Sequence, residues 1–296
     1  MQRKVFGAIE AGGTKFVCGI GTGPDDVTFI SIPTRTPTET LADAIAFFRE
    51  AAGDRLQAVG IGSFGPVDLR RESPTFGCIT STPKAGWRDC DFAGAIRRAL
   101  GVPVGFDTDV NAAAVGEGRW GAARELSDFL YLTVGTGIGG GAIVRHRVLH
   151  GLVHTELGHI PVPHDRARDP FPGCCPYHGD CLEGLASGPA MHARWGIAAS
   201  ELPPTHPAWD LEAHYLALGL AVWVCSLSPQ RIVLGGGVMR QPHLFPLIRQ
   251  ELARILNGYV CAPELGSGIG QYVVPAELDG RAGILGALVL AEQAYT

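Results

Sequence analysis

Apolar and polar positions along the chain fall into short blocks with two different periods. Val5–Glu10 and Lys15–Ile20 read as strands, and Ala11-Gly12-Gly13-Thr14 between them suits a hairpin turn. Over residues 38–52, Leu41, Ile45 and Phe48 recur at helical spacing, and the run ends at Gly53. Leu56–Ile61 has the pattern of a buried strand. Residues 63–90, which hold Pro66, Pro74 and Pro83, read as loop. Phe92–Leu100 predicts a short helix stopped by Gly101, Val102–Phe106 a strand, and Val110–Glu117 the opening of another helix.

The second half begins the same way. Phe129–Val134 predicts a strand, Gly135–Gly141 a glycine turn, and Ala142–Val148 a strand. Residues 151–180 are irregular. Helices are predicted from Leu182 onward and at Leu211–Leu227, Phe245–Leu256 and Ala282–Ala294, with strands at Arg231–Leu234 and Tyr272–Val274. Each half opens strand, glycine turn, strand, and later has a strand running into glycines: Gly60-Ile61-Gly62 in one, Gly235-Gly236-Gly237 in the other. This weak internal repeat implies two similar α/β halves facing each other across a cleft lined by glycine turns. A boundary is expected near residues 117–126: an N-terminal domain over 1–118, onto which the helix at 281–296 packs back, and a C-terminal domain over 119–280.

Composition narrows the classes. The chain has 296 residues, 46% apolar and 18% charged, which excludes a disordered protein. The net charge of −5, without blocks of Lys or Arg, argues against a nucleic-acid partner. The apolar stretch Tyr215–Leu227 is too short to span a bilayer, and the apolar run entered at Val5 ends at Glu10, too short for a signal peptide. A soluble, cytoplasmic protein with no membrane partner is expected. Most of the eight cysteines sit in apolar surroundings and read as small core residues.

Two glycine segments match Gly-x-Gly-x-x-Gly: Gly60, Gly62, Gly65, and Gly135, Gly137, Gly140. Pro66 follows the first and a strand pattern the second. Neither has the helix whose N-terminus would face a pyrophosphate, so a dinucleotide fold is not supported. What remains is a glycine turn between two strands, used twice, where backbone N–H groups can converge on phosphate oxygens with no Cβ in the way.

One polar stretch concentrates metal-binding chemistry. Cys175, His178 and Cys181 are spaced Cys-x-x-His-x-x-Cys, three ligands that suit tetrahedral zinc and need a fourth from elsewhere; Cys174 is a competing sulfur. His154-Thr155-Glu156-Leu157-Gly158-His159 is His-x-Glu-x-x-His, whose histidines five apart do not share a helix face, so a zinc hydrolase is unsupported.

Several segments together resemble the ROK family (repressors, open reading frames and kinases): Glu10-Ala11-Gly12-Gly13-Thr14-Lys15, Thr108-Asp109-Val110-Asn111-Ala112, Thr133 to Gly141, Glu156-Leu157-Gly158-His159 and Cys181-Leu182-Glu183-Gly184. They run in family order across nearly the whole chain. Cys175 to Pro189 is similar to the fructokinase branch.

The resemblance implies the α/β, two-domain actin-like (ribonuclease H-like) ATPase fold, with duplicated β-β-β-α-β-α halves and an interdomain cleft. It implies transfer of a phosphoryl group from ATP to a hexose, with fructose to fructose 6-phosphate as the leading reaction, Mg²⁺ between the β- and γ-phosphates, and a homodimer. Gluco-, manno- or amino-sugar kinases and a non-catalytic sugar-sensing regulator are the alternatives. Family repressors carry a DNA-binding helix-turn-helix ahead of the kinase-like region, and the first strand here is expected to begin by Lys4.

By resemblance Asp109 is the general base, although Asp107 or Thr108 can cap the following helix equally well. Thr108, Asp109, Asn111, Glu156, His159 and Glu183 face the sugar, with Thr108 standing where many members have Asn. Gly12, Gly13, Thr14, Lys15, Thr136 and Gly137 meet the phosphates, and Glu10, Asp in most of the family, is expected to reach the metal through water. Gly188, Pro189, Gly235, Gly236 and Gly237 hold the adenosine. The resemblance also nominates His159 as the fourth zinc ligand and favours Cys175 over Cys174. Four protein ligands make the zinc structural, pinning the loop over 151–183.

Overall fold

The computed structural model describes residues 4–296 as two compact units. The first holds the described residues up to Glu125, together with Val148–Thr155 and Leu278–Thr296; the second holds Leu126–Arg147 and Glu156–Glu277.

The first unit opens with β1 (Val5–Ala11), β2 (Lys15–Gly21), β3 (Thr28–Pro33) and α1 (Pro37–Ala51). It continues with β4 (Leu56–Ser63), the short pair β5 (Cys78–Ile79) and β6 (Cys90–Asp91), α2 (Phe92–Leu100), β7 (Val104–Thr108) and α3 (Asp109–Trp120). Its sheet has the order β3-β2-β1-β4-β7, with β1, β2 and β3 antiparallel neighbours and β1, β4 and β7 parallel. Thr36 caps α1 in a full capping box with Glu39, and Gly101 ends α2 in the left-handed conformation. Ile9, Phe16, Phe48, Ile61, Trp87 and Phe92 form the fully buried centre of the core on one face of the sheet.

The second unit repeats the plan. It contains β8 (Phe129–Val134), β9 (Ile138–Val144), the first residue of β10 (Arg147–Val148), α4 (Leu182–Ala186), α5 (Gly188–Trp195), α6 (Ala208–Leu227), β11 (Arg231–Gly235), α7 (Leu244–Leu256), α8 (Ile269–Tyr272) and β12 (Val273–Pro275). The order β10-β9-β8-β11-β12 matches that of the first sheet position for position, again with an antiparallel start and parallel additions. The closing helix, α9 (Ala282–Tyr295), belongs to the first unit and packs on β1, β4, β7 and α3.

Three sequence expectations need correction. β3 was not foreseen, because it is an edge strand on which only Ile32 is buried and no in–out alternation develops. The glycine turn expected over Gly135–Gly141 is confined to its first three residues, and β9 starts at Ile138. Gly139, Gly140 and Gly141 are strand residues; a Cβ on Gly140 would stand 2.6 Å from Leu132 and 2.8 Å from Leu157. The single strand expected at Ala142–Val148 is broken by a tight turn in which Arg145 and His146 both take positive φ. In addition, α6 has 20 residues, enough by length and composition to cross a membrane, yet 61% of its apolar window is buried and it serves as the core helix of the second unit.

Candidate functional site

In the first unit the turn after β1 is closed by Gly12 N–H donating to Lys15 O at 2.9 Å, and Thr34 Oγ1 donates to Gly12 O at 2.8 Å. Gly13, Thr14 and Lys15 are exposed, and a Cβ on Gly13 would meet nothing within 4 Å. Glu10 does not point along this turn. Its carboxyl carbon lies 2.6 Å from where a Gly283 Cβ would stand, and its carboxylate accepts the Ile284 N–H at the start of α9. Burial pushes its pKa up, against the pull of Lys15 and of that N–H.

Asp109 is the first residue of α3 and is half-buried, and its Oδ1 accepts Val110 N–H at 2.9 Å. Of the two capping alternatives the structure uses Thr108, whose Oγ1 accepts Asn111 N–H at 3.1 Å. Asp107 does something else. Its buried carboxylate accepts Thr108 N–H at 2.8 Å and Asn111 Nδ2–H at 2.6 Å, and its second oxygen faces His150 Nε2 at 2.9 Å. The side-chain amide of Asn111 is thereby fixed, while its Oδ1 is buried without a donor among the described residues.

The histidines bracketing Gly151-Leu152-Val153 anchor that loop to the first unit. His150 pairs with Asp107, and His154 Nε2 accepts Val67 N–H at 3.1 Å. The hydrogen bond to Asp107 raises the His150 pKa, more than burial and Arg71 lower it.

In the second unit the glycine turn is tied to its neighbours by hydrogen bonds. Gly135 N–H donates to Gly137 O at 2.9 Å, Gly188 N–H at the start of α5 donates to Gly135 O at 2.8 Å, and Ile138 N–H donates to Glu183 Oε2 at 2.9 Å. A Cβ on Gly135 would lie 3.7 Å from Gly237 N, and Gly236, at φ +94°, turns the chain beneath Val134. Thr136, Gly137, Gly188, Pro189, Gly235, Gly236 and Gly237 are therefore gathered about one turn.

Glu183, in the first turn of α4, links this turn to the cysteine cluster: its Oε1 lies 3.9 Å from His159 Nε2. The opposite ring nitrogen, His159 Nδ1, is 3.7 Å from Cys175 Sγ and 3.6 Å from Cys181 Sγ, and His178 Nδ1 is 3.6 Å from Cys175 Sγ. The four ligand atoms lie within 4.8 Å of one another. Zn–S bonds of about 2.3 Å and Zn–N bonds of about 2.05 Å at tetrahedral angles give an S···N edge of about 3.6 Å, so the spacing fits a zinc ion. Cys174 is exposed and lies outside the cluster, its backbone N–H donating to Gly184 O. Glu156 is exposed at the start of the short turn that carries His159, and its carbonyl accepts His159 N–H at 3.1 Å.

Two residues that the fold brings to these turns, His150 and Lys84, lie in none of the sequence motifs. Lys84 Nζ donates to Gly13 O at 2.5 Å. No local pattern marks either residue.

The family model described as "ROK family" matches residues 6–294. A protein of Bacillus subtilis (strain 168), named provisionally as a fructokinase, is 50% identical over 98% of this chain and 96% of its own. The fructokinase of Pediococcus pentosaceus is 44% identical over 98% of both chains. Among solved structures, a ROK family glucokinase from Streptomyces griseus, in complex with glucose and AMPPNP, superposes with a TM-score of 0.73 at 27% identity, covering 99% of this chain and 100% of that one. The duplicated sheets together with this superposition identify the actin-like ATPase fold.

Proposed function

The chain belongs to the ROK family, and from that premise we propose that it is a fructokinase, transferring the γ-phosphoryl group of ATP to a fructose hydroxyl to give fructose 6-phosphate. The observation that carries the reading is full-length similarity, at 44% identity, to a relative named fructokinase.

In this mechanism Asp109 accepts the hydroxyl proton as the sugar oxygen attacks the γ-phosphorus in line. A P–O bond to the sugar forms while the bond to ADP breaks. The position of Asp109 at the first residue of α3 supports the role, because a rigid strand-to-helix junction holds the carboxylate. Asn111 Oδ1, an acceptor with no donor among the described residues, is where a sugar hydroxyl would donate, and the Thr108 hydroxyl keeps its own proton to give. Glu156 and Glu183 accept further hydroxyls, and His159, its Nδ1 turned to the cysteines, offers its Nε2–H as a donor. The turns that hold Gly12, Gly13 and Thr14 and Thr136 and Gly137, with Gly13, Thr14 and Thr136 exposed, meet phosphate oxygens together with the Lys15 ammonium, and Gly188, Pro189, Gly235, Gly236 and Gly237 lie at the adenosine, where the space beside Gly237 is open to 4 Å.

Mg²⁺ supplies charge neutralisation on the β- and γ-phosphates when bound. Glu10 is engaged with Ile284 N–H and suits only a water-mediated approach to that ion. His159, Cys175, His178 and Cys181 would hold a structural zinc, leaving His159 Nε2 directed toward Glu183. A homodimer in the cytoplasm completes the reading.

A coupled assay of ADP release against fructose, glucose, mannose and amino sugars, with the product position read by ³¹P–¹H NMR, tests it. Fructose is expected to give the highest kcat/KM. Preference for another hexose moves the protein to a different kinase of the family, and no ADP release with any sugar makes it a sugar-binding regulator.

A further inference from the structure

We propose that Lys84 is a second phosphate-binding cation of the first glycine turn, acting on the terminal phosphoryl group of the bound nucleotide. The inference deepens the kinase reading and rests on it.

Lys84 is 71 positions from Gly13, yet its ammonium group sits on the Gly13 carbonyl. The segment that carries it is firmly held. Thr82 is buried and its Oγ1 accepts Lys84 N–H at 3.2 Å. Trp87 is fully buried, its N–H donates to Lys84 O at 3.1 Å, and its indole Nε1–H donates to Arg35 O at 2.9 Å. The Trp87 ring packs on Phe16, the second residue of the strand leaving the turn, with centroids 5.3 Å apart. The side chain thus reaches the turn from a fixed base, and only its flexible stem has to move.

The resting position suits an ammonium awaiting a better partner. Lys84 has no carboxylate partner among the described residues, and the Gly13 carbonyl is a neutral acceptor. Beside that carbonyl, the space where a Gly13 Cβ would stand is open to 4 Å. A phosphoryl group entering there brings acceptor oxygens carrying full charge, and a charge-assisted hydrogen bond is roughly twice as strong as one to a carbonyl. Lys15, on the same turn, already acts electrostatically on the Glu10 carboxylate, so a multiply charged phosphate chain gains from another cation.

The test is calorimetric binding of AMPPNP, ADP and adenosine to the full chain and to Lys84→Met and Lys84→Arg, with thermal melting of each. Lys84→Met is expected to weaken AMPPNP by about tenfold or more, ADP by about threefold or less, and adenosine not at all, with an unchanged melting point and partial recovery in Lys84→Arg. If Lys84→Met binds AMPPNP as the wild type does, the assignment is overturned and the kinase reading stands. An equal loss for all three ligands also overturns it. A wild-type chain that binds none of them overturns the kinase reading and this assignment together.

Discussion

Asp107 and His150, 43 positions apart, meet across 2.9 Å, and this pair ties the loop at 148–155 to the junction that presents Asp109. The pair has a definite pH signature. The carboxylate raises the folded-state pKa of His150 above its unfolded value, so the contribution is full below the unfolded pKa and is lost as pH rises through the folded one. His150 is 41% exposed, and after solvent screening its share of stability is below about 1 kcal/mol. Thermal melting of the wild type and His150→Ala is expected to differ at pH 5.5 and to converge by pH 9. A difference that is the same at both pH values would remove the ionic part of the interaction.

Replacing Asp109 by Asn keeps the size of the side chain and its oxygen for the Val110 N–H. A general base contributes about 10² to 10⁴ in rate, so kcat is expected to fall by that factor while the KM for fructose moves little. Steady-state kinetics with a melting curve checks this. Near-normal turnover would remove the role, and a large rise in KM alone would make Asp109 a binding residue.

How far the sequence reached depended on how local each feature was. The glycine turns at 11–14 and 135–137, and the Cys175–Cys181 spacing, are contiguous, so each carried its chemistry in a few residues. β3 escaped because an edge strand on which only Ile32 is buried has no hydropathic period. The start of β9 was hidden because glycine carries no hydropathy signal: Gly139–Gly141 looked like turn and are strand. Asp107–His150 and Lys84–Gly13 span 43 and 71 positions, and only the fold brings them together. The bond from Ile284 N–H to the Glu10 carboxylate is likewise invisible in the motif that contains Glu10, because the two residues are brought together only by the packing of α9.

The packing of α9 gives a prediction about stability. A Cβ on Gly286 would stand 1.6 Å from the Ala112 carbonyl oxygen of α3, and backbone cannot move aside as a flexible side-chain end can. Gly286→Ala must push α9 away from α3, the helix that begins with Asp109, and overpacking of this kind costs about 1–3 kcal/mol or more. Gly270→Ala, where a Cβ meets nothing within 4 Å, is the matched control. Urea melts should show a lower midpoint for the first and little change for the second; equal midpoints would contradict the close approach of the two helices.

Zinc gives the sharpest discrimination between adjacent residues. Cys174 and Cys175 are neighbours in sequence, but only Cys175 has its sulfur among the four clustered ligand atoms. One zinc per chain is expected by elemental analysis of the purified protein. Cys175→Ser and Cys181→Ser should each lose it and melt at lower temperature, because a structural zinc contributes folding energy directly. Cys174→Ser should keep the metal and the wild-type melting point. His159 also approaches Glu183, which accepts Ile138 N–H from the second glycine turn, so the loss should extend to function. Removing the ion frees the ring that stands between the cluster and that carboxylate, and sugar affinity is expected to fall together with stability when a chelator strips the wild type. A chelated protein with unchanged sugar affinity would confine the metal to holding its own loop, and a Cys174→Ser variant that loses zinc would place the wrong sulfur in the cluster.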